Sequence, residues 1–197
     1  MNNIELFICE DEDIYNETFK EENLSNNHII NKTICNSSFS STNLSESEYH
    51  NVYFDKVNLT NCDLSNIKFT DCSFHDVKID NCKLLGASFI NCRITKLNIS
   101  NSVCKYLSFL DTKTKELELL DSEFTESTFF NVELSKAKFD NTNFSKTEFI
   151  NTLLKGLDFS TSIISGIKLT NECLKGIKVN TLQAIELVRL LDIEIIE

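Results

Sequence analysis

One column of apolar residues recurs at every fifth position of this chain, from Phe19 to Val179. Of the 15 Phe residues, 13 lie in this column, and Thr114 is its one clearly polar member. An α-helix repeats every 3.6 residues and a β-strand every two, so neither element alone produces the pattern. A fixed internal repeat indicates a solenoid, in which each unit buries its apolar side against its neighbours. The sequence therefore predicts a single repetitive all-β rod.

The position two residues after each apolar residue is rich in turn-forming residues. Of the 32 such positions from Glu21 to Gly176, 21 are Asn, Asp or Gly. These residue types tolerate a positive φ and bond to the local backbone, so we expect a corner every five residues. A second period of twenty is visible at Asn31, Asn51, Asp71, Asn91, Asp111, Asn131, Asn151 and Asn171. Such residues either hydrogen-bond along the rod axis as a ladder or each make their own turn, and both can hold.

Segments such as 57–61, 62–66 and 142–146 resemble the pentapeptide repeat, which reads small residue, Asp or Asn, Leu or Phe, Ser or Thr, then any residue. The resemblance covers roughly residues 19–180 and implies a right-handed quadrilateral β-helix with four pentapeptides in each coil. About eight coils at the usual strand spacing of 4.7–4.9 Å give a rod roughly 40 Å long. We expect an N-terminal acidic cap over residues 1–14, the β-helix over 15–180, and a C-terminal helix and tail over 181–197.

The five-residue period ends after Val179, where a helix is predicted. Asn180 followed three residues later by Gln183 is typical of a capping box. Gln183, Glu186 and Arg189 form only a narrow polar stripe, which leaves more apolar surface than one coil end can cover. We therefore expect a twofold end-to-end dimer, with residues 193–196 as a final strand. The predicted interface residues are Leu187, Val188, Leu191 and Ile193, and a helix that caps a monomer is the alternative.

Charge is uneven along the chain. The formal net charge is −11, of which residues 1–50 contribute −8 and residues 181–197 contribute −3. This balance excludes simple nucleic-acid binding and favours a basic partner. In the electrically neutral middle of the chain, one face gathers lysines and the next is mildly acidic. The candidate acidic partner surface consists of Glu118, Asp121, Asp140, Asp158, Glu186, Asp192 and Glu194.

One face also carries apolar residues at an outward position where the repeat usually places Ser or Thr. An apolar stripe on a polar rod indicates a protein contact, although scattered exposed hydrophobic residues are common. Both interpretations stay open. The candidate apolar stripe consists of Ile90, Leu110, Phe130 and Ile150.

The sequence contains no recognisable catalytic or metal-binding arrangement. His28, His50 and His75 are scattered at outward positions, without a nucleophile or metal-ligand spacing around them. We expect no enzymatic activity and no cofactor or metal. With neither a signal segment nor a membrane span in view, we expect a cytoplasmic location.

Four cysteines occupy the small position two residues before a core residue. We interpret them as small apolar filler in preference to zinc ligands, which favour clustered spacings. An adventitious disulfide between residues one coil apart is conceivable on oxidation. These cysteines are Cys62, Cys72, Cys82 and Cys92.

The chain ends, residues 17–25 and 183–193, resemble those of the Qnr/MfpA-type topoisomerase-protecting group of pentapeptide-repeat proteins. This resemblance implies a dimeric acidic rod about as wide as duplex DNA, a DNA mimic that binds DNA gyrase or topoisomerase IV. It also implies protection of that enzyme from quinolones or toxins. Gram-negative members carry loops that interrupt the register and this chain carries none, which puts loop-dependent drug protection in doubt. The alternative is a protein-interaction scaffold with an unrelated partner.

Overall fold

The computed structural model describes residues 7–8, 12–191 and 193. These residues form a parallel β-solenoid of about eight turns, followed by one short helix. Each strand pairs in parallel with residues twenty positions away, as when Phe74 pairs with both Phe54 and Ile94. A coil therefore has four sides of five residues each, in agreement with the five-residue and twenty-residue periods of the sequence.

The four faces are numbered here by their first inward core residue: Phe19 on face 1, Leu24 on face 2, Ile29 on face 3 and Ile34 on face 4. Faces 4 and 1 together form an eleven-stranded sheet, because three long strands cross the corner between them. Face 2 is held by single bridges that run from Asn23↔Asn43 to Asn143↔Ile163.

The strands of face 4 are β1 (Ile14–Tyr15), β4 (Thr33–Cys35), β7 (Tyr53–Asp55) and β16 (Glu133–Ser135). Those of face 1 are β2 (Thr18–Lys20), β5 (Ser38–Ser40), β8 (Asn58–Thr60) and β17 (Lys138–Asp140). The three long strands are β10 (Ser73–Asp80), β12 (Arg93–Ser100) and β14 (Lys113–Leu120). Face 3 is an eight-stranded sheet of β3 (His28–Ile30), β6 (Glu48–His50), β9 (Lys68–Thr70), β11 (Ser88–Ile90), β13 (Ser108–Leu110), β15 (Thr128–Phe130), β18 (Glu148–Ile150) and β19 (Lys168–Leu169).

The corners adopt the left-handed backbone conformation that the sequence predicts. Every fifth residue from Asn16 to Gly156 has a positive φ, between 47° and 87°. Most of these residues are Asn, Asp or Gly, but Tyr106 occupies one corner at φ 60°. Thr161 and Asn171 do not share the conformation, so the corners are less regular in the last coils.

Six of the eight Asn and Asp residues at the corner between faces 3 and 4 are hydrogen-bonded along the axis, in three pairs. Asn51 Nδ2 donates to Asn31 Oδ1 at 2.7 Å, and Asn131 Nδ2 donates to Asp111 Oδ1 at 2.7 Å. Asn91 donates to Asp71 in the same way. Most of these residues also make their own turn with a positive φ, so both interpretations of the twenty-residue period hold.

The interior is filled by stacked apolar side chains. On face 3 an unbroken aromatic stack has ring centroids 4.7–5.2 Å apart. Thr114, the polar member of the core column, is buried, and its hydroxyl donates to the Glu133 carbonyl at 3.0 Å. The aromatic stack comprises Tyr49, Phe69, Phe89, Phe109, Phe129 and Phe149.

The interpretation of the cysteines as apolar filler is incomplete, because their thiols join hydrogen-bonded columns inside the wall. The backbone N–H of Cys62 donates to Cys82 Sγ at 3.3 Å, and that of Cys82 donates to Ser102 Oγ at 3.0 Å. The Cys82 thiol in turn donates to the Asp80 carbonyl at 3.3 Å. These thiols therefore replace a hydroxyl, not a methyl group. The seven described cysteines form no disulfide.

Phe7 covers the N-terminal end of the rod. Its ring meets Phe19, Phe39 and Tyr49 edge-on, with centroids 5.5, 6.0 and 6.5 Å away. The solenoid begins one residue earlier than the predicted boundary at 15, because Ile14 is buried and pairs with Ile34. Residues 1–6 and 9–11 of the predicted acidic cap lie outside the described residues.

Candidate binding surfaces

The C-terminal helix, α1 (Thr181–Val188), continues into a 3-10 turn over Arg189–Leu191. The predicted capping box is present. The backbone N–H of Gln183 donates to Asn180 Oδ1 at 3.0 Å, and the backbone N–H of Asn180 donates to Gln183 Oε1 at 2.8 Å. The two residues thus satisfy two donors that a helix start leaves open.

Gln183 does not lie on an exposed polar stripe, as the sequence suggested, but is buried at the end of the rod. Its Nε2 donates to the Phe159 carbonyl at 2.8 Å and to the Ser162 carbonyl at 2.7 Å. The Phe159 carbonyl also accepts from the Ser162 N–H at 2.9 Å, whereas the Ser162 carbonyl is paired by the Gln183 side chain. Gln183 therefore joins the helix start to the strand ends that it covers.

The predicted dimer residues differ in how far they are buried. Leu187 is buried and belongs to the core of the rod, whereas Val188 is half-buried and Ile193 is exposed. The side chain of Leu191 lies outside the described part of the chain, as do all of residues 194–197. The predicted interface therefore needs correction at Leu187, because its contacts are made inside the monomer. The exposed apolar side chains at this end are Leu182, Ile185, Leu190 and Ile193.

Part of the predicted acidic surface is neutralised by neighbouring coils. In the parallel backbone pairing, Glu118 lies between Asn98 and Lys138, and Asp158 lies beside Lys178. Asn98 Nδ2 donates to Glu118 at 3.0 Å. The outward column on face 1 therefore alternates in charge along the axis, which a charge count for the whole face conceals.

Negative charge is less compensated at the corner between faces 1 and 2. Asp80 accepts from Ser100 Oγ and Asn101 Nδ2, both at 2.8 Å, and Asp121 accepts from Asn141 Nδ2 at 2.6 Å. The hydrogen bonds from Asn101 and Ser100 lower the pKa of Asp80 below its ordinary value, so this carboxylate stays ionised. Neither Asp80 nor Asp121 forms an ion pair with any described residue.

Asp140 lies on the next coil, where it accepts from Thr161 Oγ1 at 2.9 Å and has Lys138 Nζ at 3.5 Å. We call Asp80, Asp121 and Asp140 the acidic corner. Of the other predicted acidic residues, Glu186 lies near Ser165 at 3.4 Å, beyond the end of face 2. Asp192 and Glu194 fall outside the described residues.

The apolar stripe is assembled in register on face 3. Ile90, Leu110, Phe130 and Ile150 lie side by side on β11, β13, β15 and β18. Phe130 is 38% exposed, and the other three are half-buried. The second outward column holds Ser88, Ser108 and Thr128 on β11, β13 and β15, so this column is uncharged over those three strands. Charged residues return to that column at Lys68 and at Glu148.

Three lysines of the lysine-rich face form ion pairs with carboxylates of neighbouring coils. Along the corner between faces 4 and 1, Lys96 Nζ lies 2.8 Å from Asp76 and Lys136 Nζ lies 3.8 Å from Glu116. Lys113 makes a similar contact with Glu133 at 2.9 Å. These pairs span neighbouring coils and place part of the positive charge of this face beside carboxylates.

Each histidine faces a carboxylate of an adjacent coil. His75 Nδ1 lies 2.5 Å from Asp55 Oδ1, and His28 and His50 lie 4.0 and 3.6 Å from Glu48 and Asp71. Within the described ranges, no group of three or more His, Cys, Asp or Glu side chains could hold a metal ion. Among the described residues, no helix is long and apolar enough to cross a bilayer.

Tyr106 was not singled out from the sequence. Its side chain is 57% exposed at the corner between faces 2 and 3, one coil after Gly86. The sequence could have indicated it, because Tyr106 is an aromatic residue at a corner position that is usually Asn, Asp or Gly.

Two stretches of the chain match the pentapeptide-repeat family. The family model, described as pentapeptide repeats, matches eight copies within residues 37–76 and 127–166. The same five-residue register and the same coil continue between the two matched blocks. A comparison with curated protein sequences gives no significant match.

Several solved structures are similar to this chain. A trypsin-treated variant of QnrB1, described as a plasmid-mediated fluoroquinolone resistance protein, is 20% identical with a TM-score of 0.44, over 94% of this chain and 100% of that one. HetL, a pentapeptide-repeat protein involved in heterocyst differentiation regulation in the cyanobacterium Nostoc sp. strain PCC 7120, is 11% identical with a TM-score of 0.40. That match covers 83% of this chain and 87% of HetL. Structural similarity at this level does not identify a binding partner for this chain.

Proposed function

We propose that this protein is a non-enzymatic DNA mimic that binds a type II topoisomerase, DNA gyrase or topoisomerase IV, and protects it from quinolones or toxins. The surface that would meet the enzyme is the acidic corner, and its location would be the cytoplasm. The observation that carries the proposal is a row of three carboxylates, of which Asp80 and Asp121 form no ion pair with the described residues, on a rod whose net charge is −11. The sequence resemblance to the topoisomerase-protecting group supplies the identity of the partner.

The hydrogen bonds of the acidic corner fix the carboxylates before any partner arrives. Asp80 is fixed by two donors, and Asp121 and Asp140 by one neutral donor each. A prearranged charge loses little conformational entropy on binding. Asp80 and Asp140 lie three coils apart, about 14 Å at the usual strand spacing. A protein surface that binds the phosphates of duplex DNA would meet a similarly fixed line of negative charge.

Dimerisation would extend this line. If the exposed residues Leu182, Ile185, Leu190 and Ile193 join two copies end to end, two rods of eight coils would reach roughly 80 Å. The negative C-terminal segments of both chains would then lie together at the centre. A binding saddle for the topoisomerase would be expected there.

A supercoiling assay with charge-matched variants tests the proposal. The acidic-corner variant carries D80N, D121N and D140N. The control variant carries D76N, E116Q and E133Q, which removes three carboxylates that are ion-paired to lysines at the corner between faces 4 and 1 and on face 4. Both variants change the net charge by the same amount, so the comparison isolates the position of the charge.

Wild-type protein at micromolar concentration should alter gyrase supercoiling or relieve quinolone inhibition. The acidic-corner variant should need about tenfold more protein for the same effect, whereas the control should stay near wild type. Absence of any effect by the wild type, or equal loss in both variants, would count against the proposal.

The apolar stripe favours a second candidate function, that of an interaction scaffold with a partner unrelated to topoisomerases. The two functions use different surfaces, the corner between faces 1 and 2 and the centre of face 3. Phe130→Asp should therefore abolish scaffold binding and leave the gyrase assay unchanged.

A further inference from the structure

In the centre of face 3 a column of small side chains runs along the rod axis beside the larger residues of the apolar stripe, and we call this region the trough. Its floor is the column of small hydroxyl residues Ser88, Ser108 and Thr128, which are paired in register. The apolar stripe forms one wall, and Tyr106, 57% exposed, stands on the opposite corner. The trough shares no residue with the acidic corner, so a role for it goes beyond the proposed topoisomerase function.

The backbone of this face is not available to a partner. The strands β11, β13, β15 and β18 are each paired within the eight-stranded sheet. An extended peptide that binds by strand addition needs an open edge with free N–H and C=O groups. An α-helix satisfies its own backbone groups and can bind through side chains alone, so a helix is the secondary structure that suits this face.

The spacing of the stripe also fits a helix. Neighbouring strands are about 4.8 Å apart, so the four stripe residues span about 14 Å. A helix lying along the rod advances about 5.4 Å per turn, and four side chains at i, i+4, i+7 and i+11 span about 16 Å. The stripe and the helix segment differ in length by only about 2 Å, so each turn of the helix can contact one coil of the rod.

The size of the patch argues against a second copy of this chain as its occupant. Four strands of about 19 Å by a face of about 16 Å present roughly 300 Å². A stable dimer buries about 800 Å² on each partner, so this patch alone is too small. A single helix of about four turns is of the right length for the patch.

Charge at the edge of the trough indicates what the helix carries. The corner beyond the stripe holds Asp71 and Asp111, both hydrogen-bonded by the amide of the next coil. Asp111 makes no ion pair with the described residues, and Asp71 has only His50 Nδ1, at 3.6 Å. A helix with Lys or Arg on that flank would therefore complement the corner.

We infer that the centre of face 3 binds one amphipathic helix of a partner protein, which lies along the rod axis with an apolar seam on the stripe and basic residues beside Asp71 and Asp111. Phe130 is the central apolar contact because it is the most exposed member of the stripe. The Ser and Thr floor lets the helix approach the sheet closely.

A displayed library of 16-residue helices tests this inference. Helices are selected on wild-type protein and counter-selected on Phe130→Asp, and the control surface variant is Leu153→Asp, which replaces a 68% exposed leucine on face 4. We expect selected helices with apolar residues at i, i+4, i+7 and i+11 and with Lys or Arg on one flank. Binding should fall by about tenfold in Phe130→Asp and again in Asp111→Lys, and be unchanged in Leu153→Asp. Far-UV circular dichroism checks that each variant is folded.

Other outcomes would overturn the inference. These are a selection without Phe130-dependent binders, binders whose flank is acidic, and binders that are equally weakened by Leu153→Asp. A second copy as the occupant would appear in sedimentation as a wild-type dimer that Phe130→Asp dissociates. A membrane as the occupant would appear as Phe130-dependent binding to anionic lipid vesicles without selected helices. Either result would replace the partner helix as the occupant of the centre of face 3.

Discussion

Phe109 lies at the middle of the aromatic stack on face 3 and is fully buried. Its ring stacks on Phe89 at 4.8 Å and on Phe129 at 5.1 Å. Replacing Phe109 by Ala removes the hydrophobic transfer free energy of the ring, about 2–3 kcal/mol. The flanking coils cannot close the gap, because parallel backbone hydrogen bonds fix their spacing. A residual cavity of about 80 Å³ then adds up to about 2 kcal/mol, for a total of about 3–5 kcal/mol.

Phe130→Ala is the matched control, because the same residue type stands on the neighbouring strand but points outward. Its cost should be within about 0.5 kcal/mol. Phe109→Leu should lie between the two, since it keeps most of the volume. Urea denaturation followed by circular dichroism gives the three free energies of unfolding. Hydrogen exchange should show faster opening in β11, β13 and β15 for Phe109→Ala, because coils are coupled to their nearest neighbours.

If Phe109→Ala costs no more than Phe130→Ala, the aromatic stack does not support the rod as described. Faster exchange confined to β13 would refute the coupling between coils.

Three further predictions concern the wall, the cap and the acidic corner. Cys82→Ser should be nearly neutral, whereas Cys82→Val should cost about 1–3 kcal/mol in urea denaturation, because the Cys62 N–H then loses its acceptor. Gln183→Leu should cost a similar amount, about 1–3 kcal/mol, because the Ser162 carbonyl then loses its partner, whereas exposed Ile185→Gln should cost little. Asp80→Asn should lower the urea midpoint at pH 7, because the folded-state pKa of Asp80 is lowered and its ionised form is the stabilised one. That difference should be present above the ordinary aspartate pKa of about 3.9 and disappear as the pH falls through the folded value.

The fold could be predicted from the sequence because one rule repeats in almost every unit. Phe19 and its successors every five residues define the inside, and residues such as Asn31 and Gly86 define the corners. The role of Gln183 could not be predicted in the same way, since its contacts with Phe159 and Ser162 depend on how the helix turns over the rod end. The alternating charge of Glu118, Lys138 and Asp158 was readable at a separation of twenty residues, but summing charges over a face hides it.

Competition with DNA tests the proposed function most directly. Labelled protein is bound to DNA gyrase and followed by fluorescence anisotropy while linear duplex DNA is added. A DNA mimic must occupy the same surface as DNA, so the duplex should displace the protein completely. The affinity should also fall steeply with salt, as expected for a line of carboxylates on a basic surface. A ternary complex of gyrase, DNA and this protein, or no binding to gyrase at low salt, would contradict the account.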